Sequence, residues 1–212
     1  LKDHRGLFEI DHVCQALTKA ADELGLRVNY QTGTHIHLAW QNTCATSLKR
    51  LIRLIRYLQP GLAGLVSPSR VLQFDGRTYL PEPNEYCMPL RPRNRQTNSI
   101  GRLLSSLRSH RYRTVNFANL GSTSTIEVRW HNGTLEADKI LLWLSLWMQV
   151  LHVGLRPYLR VPHVTVPSIS VPTANICEQI TRLRFPCYAL PAFQERLAKR
   201  QAEIRNIWLA KP

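Results

Sequence analysis

Two short segments with strict two-residue alternation constrain the fold of this chain more than any other feature. The first, residues 34–40 with the glycine before them, alternates apolar side chains with small or imidazole side chains: Ile36, Leu38 and Trp40 on one face, and Gly33, His35, His37 and Ala39 on the other. Such a pattern is typical of a β-strand with one buried face. The small neighbours of the two histidines leave room for a ligand above the sheet.

The second segment, residues 123–131, repeats the alternation with charged side chains. The apolar face consists of Ile126, Val128 and Trp130. The polar face consists of Thr125, Glu127, Arg129 and His131. If both strands belong to one sheet, a carboxylate and a guanidinium face the same side as the two histidines of the first strand. Imidazole and carboxylate bind divalent cations, and guanidinium binds phosphate in a fork. This face therefore suits a metal–nucleotide complex, although each pair alone is typical of an ordinary surface strand.

Helical periodicity occupies much of the remaining chain. Three- and four-residue spacing of apolar side chains predicts helices at residues 10–24, 44–58, 103–107, 135–153 and 192–210. Pro60 and Gly61 are expected to end the second helix, and further strands are expected at residues 26–30 and 112–120. The pattern predicts an α+β protein in which helices cover the outer face of a curved, mainly antiparallel sheet and a ligand site lies on its concave face.

Composition limits the partners and the compartment. The 212 residues include 28 Lys and Arg but only 14 Asp and Glu, which gives a net charge of +14. Such a charge favours polyanionic partners. The most apolar stretch, residues 140–151, is shorter than the roughly 20 residues that cross a bilayer, so no membrane span is expected. Five cysteines without a Cys-x-x-Cys pair indicate thiols in a reducing, cytoplasmic compartment.

The chain is expected to divide into a catalytic domain and a C-terminal extension. Residues 1–160 contain both alternating strands and most of the predicted helices. Residues 161–212 begin with a proline-rich extended segment and end with a basic amphipathic helix.

The order of these motifs resembles the amidoligase branch of the glutamine synthetase and glutamate–cysteine ligase superfamily. The resemblance covers residues 6–153. It consists of a Gly-x-His-x-His strand at residues 33–37, Arg111-Tyr112 with Asn116, a Thr-x-Glu-x-Arg strand at residues 125–129, a Gly-Thr-Leu turn at residues 133–135, and Ser69-Arg70 and Tyr86-Cys87 in the intervening loop.

This resemblance implies a glutamine synthetase-like catalytic domain and an ATP-dependent carboxylate–amine ligase. Such enzymes phosphorylate a carboxylate, and an amine then attacks the acyl phosphate with the help of Mg²⁺ or Mn²⁺. The implied substrates are a small-molecule or peptide acid and an amine. The implied roles are metal binding for His35 and Glu127, phosphate contact for His37 and Arg129, nucleotide contact for Arg70, and contact with the acyl phosphate or the substrate carboxylate for Arg111 or Arg113.

One part of the superfamily pattern is missing. The superfamily supplies further metal-binding carboxylates from an early Glu-x-Glu strand, whereas this sequence begins with only Asp3, Glu9 and Asp11 outside any such pattern. Either those carboxylates lie on an N-terminal companion segment that is absent from this chain, or the site has decayed. A homo-oligomer is the other partner that the sequence leaves open. A decayed domain would serve as a basic module that binds nucleic acid or another partner.

Two other functions fit parts of the sequence. Nucleic-acid binding without catalysis fits the net charge and the arginines of residues 91–113, but the sequence lacks a zinc finger, a stacking motif and a helix-turn-helix. A zinc hydrolase could use His35, His37 and a carboxylate. Against it, Arg129 would repel a bare cation next to Glu127.

Overall fold

The chain folds as an α+β protein, as its pattern predicts. The computed structural model describes residues 4–29, 31–41, 44–75, 77–90, 99–108, 111–162, 174–186 and 190–210. The helices of these ranges are α1 (His4–Glu23), α2 (Ala45–Leu62), α3 (Ile100–Arg108), α4 (Ala137–Gly154), α5 (Ile176–Arg182) and α6 (Pro191–Leu209). The strands are β1 (Gly33–Ala39), β2 (Leu72–Phe74), β3 (Tyr79–Pro83), β4 (Val115–Asn116) and β5 (Thr125–Asn132).

The two alternating segments are antiparallel neighbours in one sheet. The main sheet has the order β1-β5-β4, and β2 pairs with β3 in a separate hairpin. His37 on β1 lies opposite Glu127 on β5, and Asn116 on β4 lies opposite Glu127 on the other side. The predicted condition for a shared polar face is therefore met.

The apolar faces of the strands and the helices form one core. Its strand members are fully or nearly buried: Leu38 and Trp40 at β1, and Ile126, Val128 and Trp130 on β5. Helix α2 packs against α4, α4 contacts α1 and β1, and α5 and α6 contribute further buried side chains to the same cluster. Because one face of each strand is buried, the sheet pairing fixes which side chains face away from the core.

Helix α1 packs against the other elements through a narrow face of small side chains. Cys14 and Ala21 are buried, and the Thr18 hydroxyl donates to the carbonyl of Leu135 at the approach to α4. The apolar side chains that predict this helix are largely exposed, among them Val13 and Leu17.

Helix α2 does not end at Pro60, in contrast to the prediction. It continues to Leu62 with Pro60 buried in its last turn. Proline removes one backbone donor but leaves the next turn possible, and the N–H of Ala63 closes that turn on the carbonyls of Gln59 and Gly61.

Two predicted strands are absent or much shorter. Residues 26–29 form no strand and pair with none in the described ranges, and residue 30 lies outside those ranges. Of the predicted strand at residues 112–120, only Val115–Asn116 pairs. The side chain of Asn116 accepts a hydrogen bond from the N–H of Ala118 at 2.8 Å, and the chain turns there into a short 3-10 helix, Ala118–Gly121.

The predicted extended segment lies mostly outside the described residues, which omit residues 163–173. Across the described helices, none is both long enough and apolar enough to cross a membrane. No disulfide joins the cysteines of the described ranges.

Candidate active site

Glu127 lies at the centre of the polar face of the main sheet. It is on the middle strand, β5, and only 7% of its surface is exposed. Its neighbours in sequence, Ile126 and Val128, are fully buried on the opposite face. Alternation along β5 therefore directs the carboxylate away from the core, between β1 and β4.

Four side chains surround the Glu127 carboxylate. His35 Nδ1 lies 3.1 Å from Oε1, Arg129 Nη1 lies 3.7 Å from the same oxygen, and His37 Nε2 lies 4.0 Å from it. Asn116 Nδ2 donates to the other oxygen, Oε2, at 2.8 Å. A buried carboxylate is costly unless it is paired and hydrogen-bonded, and these contacts supply both conditions.

A β-bulge opposite His35 shapes the site. Thr34 pairs with His131 and Ile36 pairs with Val128, so β5 has one residue more than β1 between these pairs. Within this bulge the carbonyl of Arg129 accepts from Nη2 of Arg70 at 2.7 Å. Bulges commonly redirect side chains beside functional sites, and here the bulge links the loop that carries Arg70 to the sheet.

The guanidinium of Arg129 is held from two directions. Its Nη1 donates to the carbonyl of Arg111 at 3.3 Å, and its central carbon lies 5.5 Å from the centre of the Tyr112 ring. The side chain is 13% exposed. Stacking on an aromatic ring and a carbonyl contact fix a planar cation beside Glu127.

The surroundings of His35 favour its neutral form. Burial lowers its pKa, the positive charges of Arg129 and Arg70 lower it further, and Glu127 opposes the shift. In a neutral imidazole one ring nitrogen carries a lone pair that can accept a proton or bind a cation.

A cavity of about 570 Å³ opens beside this cluster. Its wall is formed by Gln31, Gly33, His35, Ser69, Arg70, Gln73, Phe74, Asp75, Asn84, Tyr86 and Arg129. A side chain at Gly33 would collide with Arg70, because a Cβ there would lie 2.6 Å from Nη2. The glycine of the Gly-x-His-x-His strand is therefore needed for the close approach of this arginine.

The structure brings together four of the predicted site residues, namely His35, His37, Glu127 and Arg129, with Arg70 on the adjoining cavity wall. Arg111 is exposed beside Tyr112, and Arg113 donates to the carbonyl of Pro89 at 3.0 Å. Neither pairs with Glu127 in the described part of the chain.

The prediction that His131 joins the polar face is wrong. His131 is 2% exposed, and its ring lies 5.1 Å from that of Trp143 on α4. The bulge between Val128 and His131 shifts the alternation by one residue, so His131 does not follow Glu127 and Arg129.

Asn116 belongs to the motif that begins with Arg111-Tyr112, but its position beside Glu127 was not predicted. Only the pairing of β4 with β5 places it next to Glu127. A two-residue strand has too little periodicity to reveal that register from sequence.

Protein ligands for a metal are few. No group of three or more His, Cys, Asp and Glu side chains that could hold a metal ion occurs in the described ranges. A zinc hydrolase needs three protein ligands, so the described site does not favour that alternative.

These contacts define an α+β protein with a charged, ligand-sized site on one face of an antiparallel sheet. A profile of the family described as "putative amidoligase enzyme" matches residues 7–151, more than half of the chain. The chain therefore belongs to this amidoligase family, which confirms the resemblance of its motifs and is consistent with a ligase. No curated protein and no solved structure gives a match to the chain.

Proposed function

We propose that this protein is an ATP-dependent carboxylate–amine ligase that acts through an acyl phosphate. The observation that carries the proposal is the convergence of His35, His37 and Arg129 on one oxygen of the buried Glu127. Membership of an amidoligase family supports amide formation as the overall reaction.

The reaction places several negative charges in one small space. A substrate carboxylate attacks the γ-phosphorus of ATP and displaces ADP, which gives an acyl phosphate. An amine then attacks the acyl carbon, and inorganic phosphate and a proton leave as the amide forms. Because the transferred phosphoryl group carries charge on all its outer oxygens, catalysis consists mainly of positioning and charge stabilisation.

The donor atoms present fit one hard divalent cation. Mg²⁺ usually takes one or two carboxylates, several waters and substrate phosphates. Glu127 Oε1 would provide the carboxylate ligand, since Oε2 is already occupied by Asn116, and His35 would bind the cation in place of its present contact with Oε1. Such a cation would supply charge neutralisation on the phosphoryl oxygens. Because no group of three or more such ligands occurs among the described residues, waters and substrate phosphates would complete the coordination of this cation.

The side chains have distinct roles in this proposal. Arg129, fixed by Tyr112 and the Arg111 carbonyl, binds an oxygen of the transferred phosphoryl group. His37 is half exposed at the rim of the cluster, where it contacts the nucleotide phosphates. Of the two remaining arginines, Arg111 would hold the acyl phosphate, since Arg113 donates to the carbonyl of Pro89.

The test uses a trap for the proposed intermediate. Hydroxylamine converts an acyl phosphate to a hydroxamate, so the full chain is incubated with Mg–ATP, hydroxylamine and a panel of ¹⁸O-labelled carboxylic acids. We expect a hydroxamate, ADP rather than AMP, and ¹⁸O in the released phosphate.

Glu127→Gln keeps the shape of the side chain and removes its charge. We expect this change to lower hydroxamate formation about 100-fold or more. The matched control is Glu136→Gln, at an exposed carboxylate that pairs with Lys139. Release of AMP and pyrophosphate, or full activity in Glu127→Gln, would contradict the proposal.

A further inference from the structure

Two guanidinium groups with little exposure line the cavity beside Glu127, and one buried carboxylate lies next to it. The guanidinium groups are those of Arg70 and Arg129, and the carboxylate is that of Glu127. Asp75 also borders the cavity, but it is exposed, and its Oδ1 accepts hydrogen bonds from the N–H groups of Arg77 and Thr78 at 2.8 and 2.7 Å. The hydrogen bonds of the Asp75 carboxylate are therefore made within its own turn and not to Arg70.

Arg70 is the side chain that these contacts leave without a counter-ion. It is 6% exposed, and its Nη2 donates to the carbonyl of Arg129. Its Nε is buried and has no hydrogen-bond partner among the described residues. No carboxylate in those ranges forms an ion pair with it, whereas Arg129 lies 3.7 Å from Glu127. A buried guanidinium without a counter-charge is costly, and an anion in the cavity would compensate it.

We propose that the cavity is the binding site for the acid substrate and that Arg70 holds a carboxylate group of that acid. The identification of the acid as a ligase substrate rests on the proposed function. The existence of a carboxylate site rests only on the geometry and charge of the cavity.

The surroundings of Arg70 favour a carboxylate over a phosphate. Phosphate sites in proteins commonly use several free backbone N–H groups at a turn or a helix start. Here Pro68 has no N–H, and the N–H groups of Arg70 and Val71 are bonded to the carbonyls of Ser67 and Pro68. The donor group left to bind an anion is the planar guanidinium of Arg70, which can pair with a planar carboxylate through two parallel hydrogen bonds.

The charge and the size of the cavity agree with a small acid. Arg129 faces Glu127 and the exposed Asp75 is bonded within its own turn, so a carboxylate of the acid would supply the counter-charge that Arg70 lacks. A volume of about 570 Å³ lies within the range of small-molecule sites. Amide and aromatic side chains, including Gln73, Phe74 and Tyr86, form the wall that would contact the rest of the acid.

The test measures acid binding to the full chain without nucleotide. Glutarate and succinate are the carboxylate probes, and inorganic phosphate and Mg–ATP are the competing anions, each titrated by calorimetry. We expect the dicarboxylates to bind, and Arg70→Met to weaken them about tenfold or more, as for loss of a hydrogen bond to a charged group. The resemblance implies a nucleotide contact for Arg70, whereas this proposal predicts that the affinity for Mg–ATP stays within about twofold in Arg70→Met.

Two further variants separate a binding role from a structural role. Gly33→Ala retains both arginine side chains, but its Cβ would lie 2.6 Å from Nη2 of Arg70 and displace the guanidinium, so we expect it to weaken glutarate binding as well. Arg156→Met is the matched control, because Arg156 donates to the carbonyls of Leu183 and Arg184 and does not line the cavity. It should bind glutarate as the unchanged chain does.

The outcomes are distinct. Failure of the unchanged chain to bind either dicarboxylate, or equal binding by Arg70→Met, would overturn the proposal. A loss confined to inorganic phosphate or Mg–ATP in Arg70→Met would overturn it in favour of a phosphate site. If glutarate binds through Arg70 while no acid yields a hydroxamate, the carboxylate site stands and the ligase function fails.

Discussion

At the scale of single residues, the geometry of the polar face depends on which side chains contact each carboxylate oxygen of Glu127. Asn116 occupies Oε2, which leaves Oε1 to His35, His37 and Arg129. The same Asn116 side chain accepts from the N–H of Ala118, where the chain leaves β4. One buried amide therefore both ends a strand and orients the central carboxylate.

His131 gives the protein an acid-sensitive residue outside the site. Burial lowers its pKa to about 4, the bond to the Asn132 carbonyl opposes this shift, and the charges of Arg200, Arg70 and Lys139 add to it. In the unfolded chain a histidine titrates near 6.5. Between these values the unfolded state binds more protons than the folded state, so stability falls as the pH falls.

We expect this single group to remove about 3 kcal/mol of unfolding free energy between pH 6.5 and pH 4. Urea unfolding at a series of pH values measures the effect. His131→Gln cannot titrate and should show a shallower fall over this range. Identical pH dependence of the two proteins would show that His131 is not buried in its neutral form.

At the scale of elements, the packing of α5 on α2 requires Gly61. A Cβ at this position would lie 2.9 Å from the Cα of Ile176 and would also collide with the Gln179 side chain. Because the backbone of α5 cannot give way as a flexible side chain can, we expect Gly61→Ala to cost about 1–3 kcal/mol of unfolding free energy.

Gly101→Ala on α3 is the control for helical glycine itself. The nearest atom to a Cβ there is the Ser99 hydroxyl at 3.8 Å. We expect this change to stabilise the protein by about 0.5 kcal/mol, since alanine favours the helix. Both values follow from urea denaturation, and a neutral Gly61→Ala would mean that α5 does not approach α2 so closely.

The elements that sequence could predict are those with one continuous buried face. Strands β1 and β5 follow from their alternation, and α2 and α4 follow from helical spacing, because in each the burial repeats over many residues. The pairing of His37 with Glu127 then follows once the two strands share a sheet.

The elements that sequence could not predict depend on distant contacts. Helix α5 and the β2–β3 hairpin are short, and β4 pairs over only Val115–Asn116. The sequence alternation does not indicate the bulge in β5, so it predicts the wrong face of the sheet for His131. For the same reason the close approach of Arg70 to Gly33 could not be predicted. These features arise from tertiary packing rather than from local propensity.

At the scale of the whole molecule, the C-terminal helix supports the site from outside the family-matched region. Arg200 on α6 is nearly buried, and it donates to the carbonyl of Leu65 and to the side chain of Asn132 at the end of β5. The same Asn132 side chain accepts from the N–H of Ser67, just before the turn that carries Arg70. Helix α6 thus ties the cavity wall to the sheet.

The most direct test of the site maps where a paramagnetic metal–nucleotide complex binds. Mn–ATP added to the ¹⁵N-labelled chain broadens the amide signals nearest the metal. We expect broadening centred on His35, His37 and Glu127, and its loss in Glu127→Gln. Broadening centred instead on the basic C-terminal helix α6, and unchanged in Glu127→Gln, would show that the polar face of this sheet is not a metal–nucleotide site.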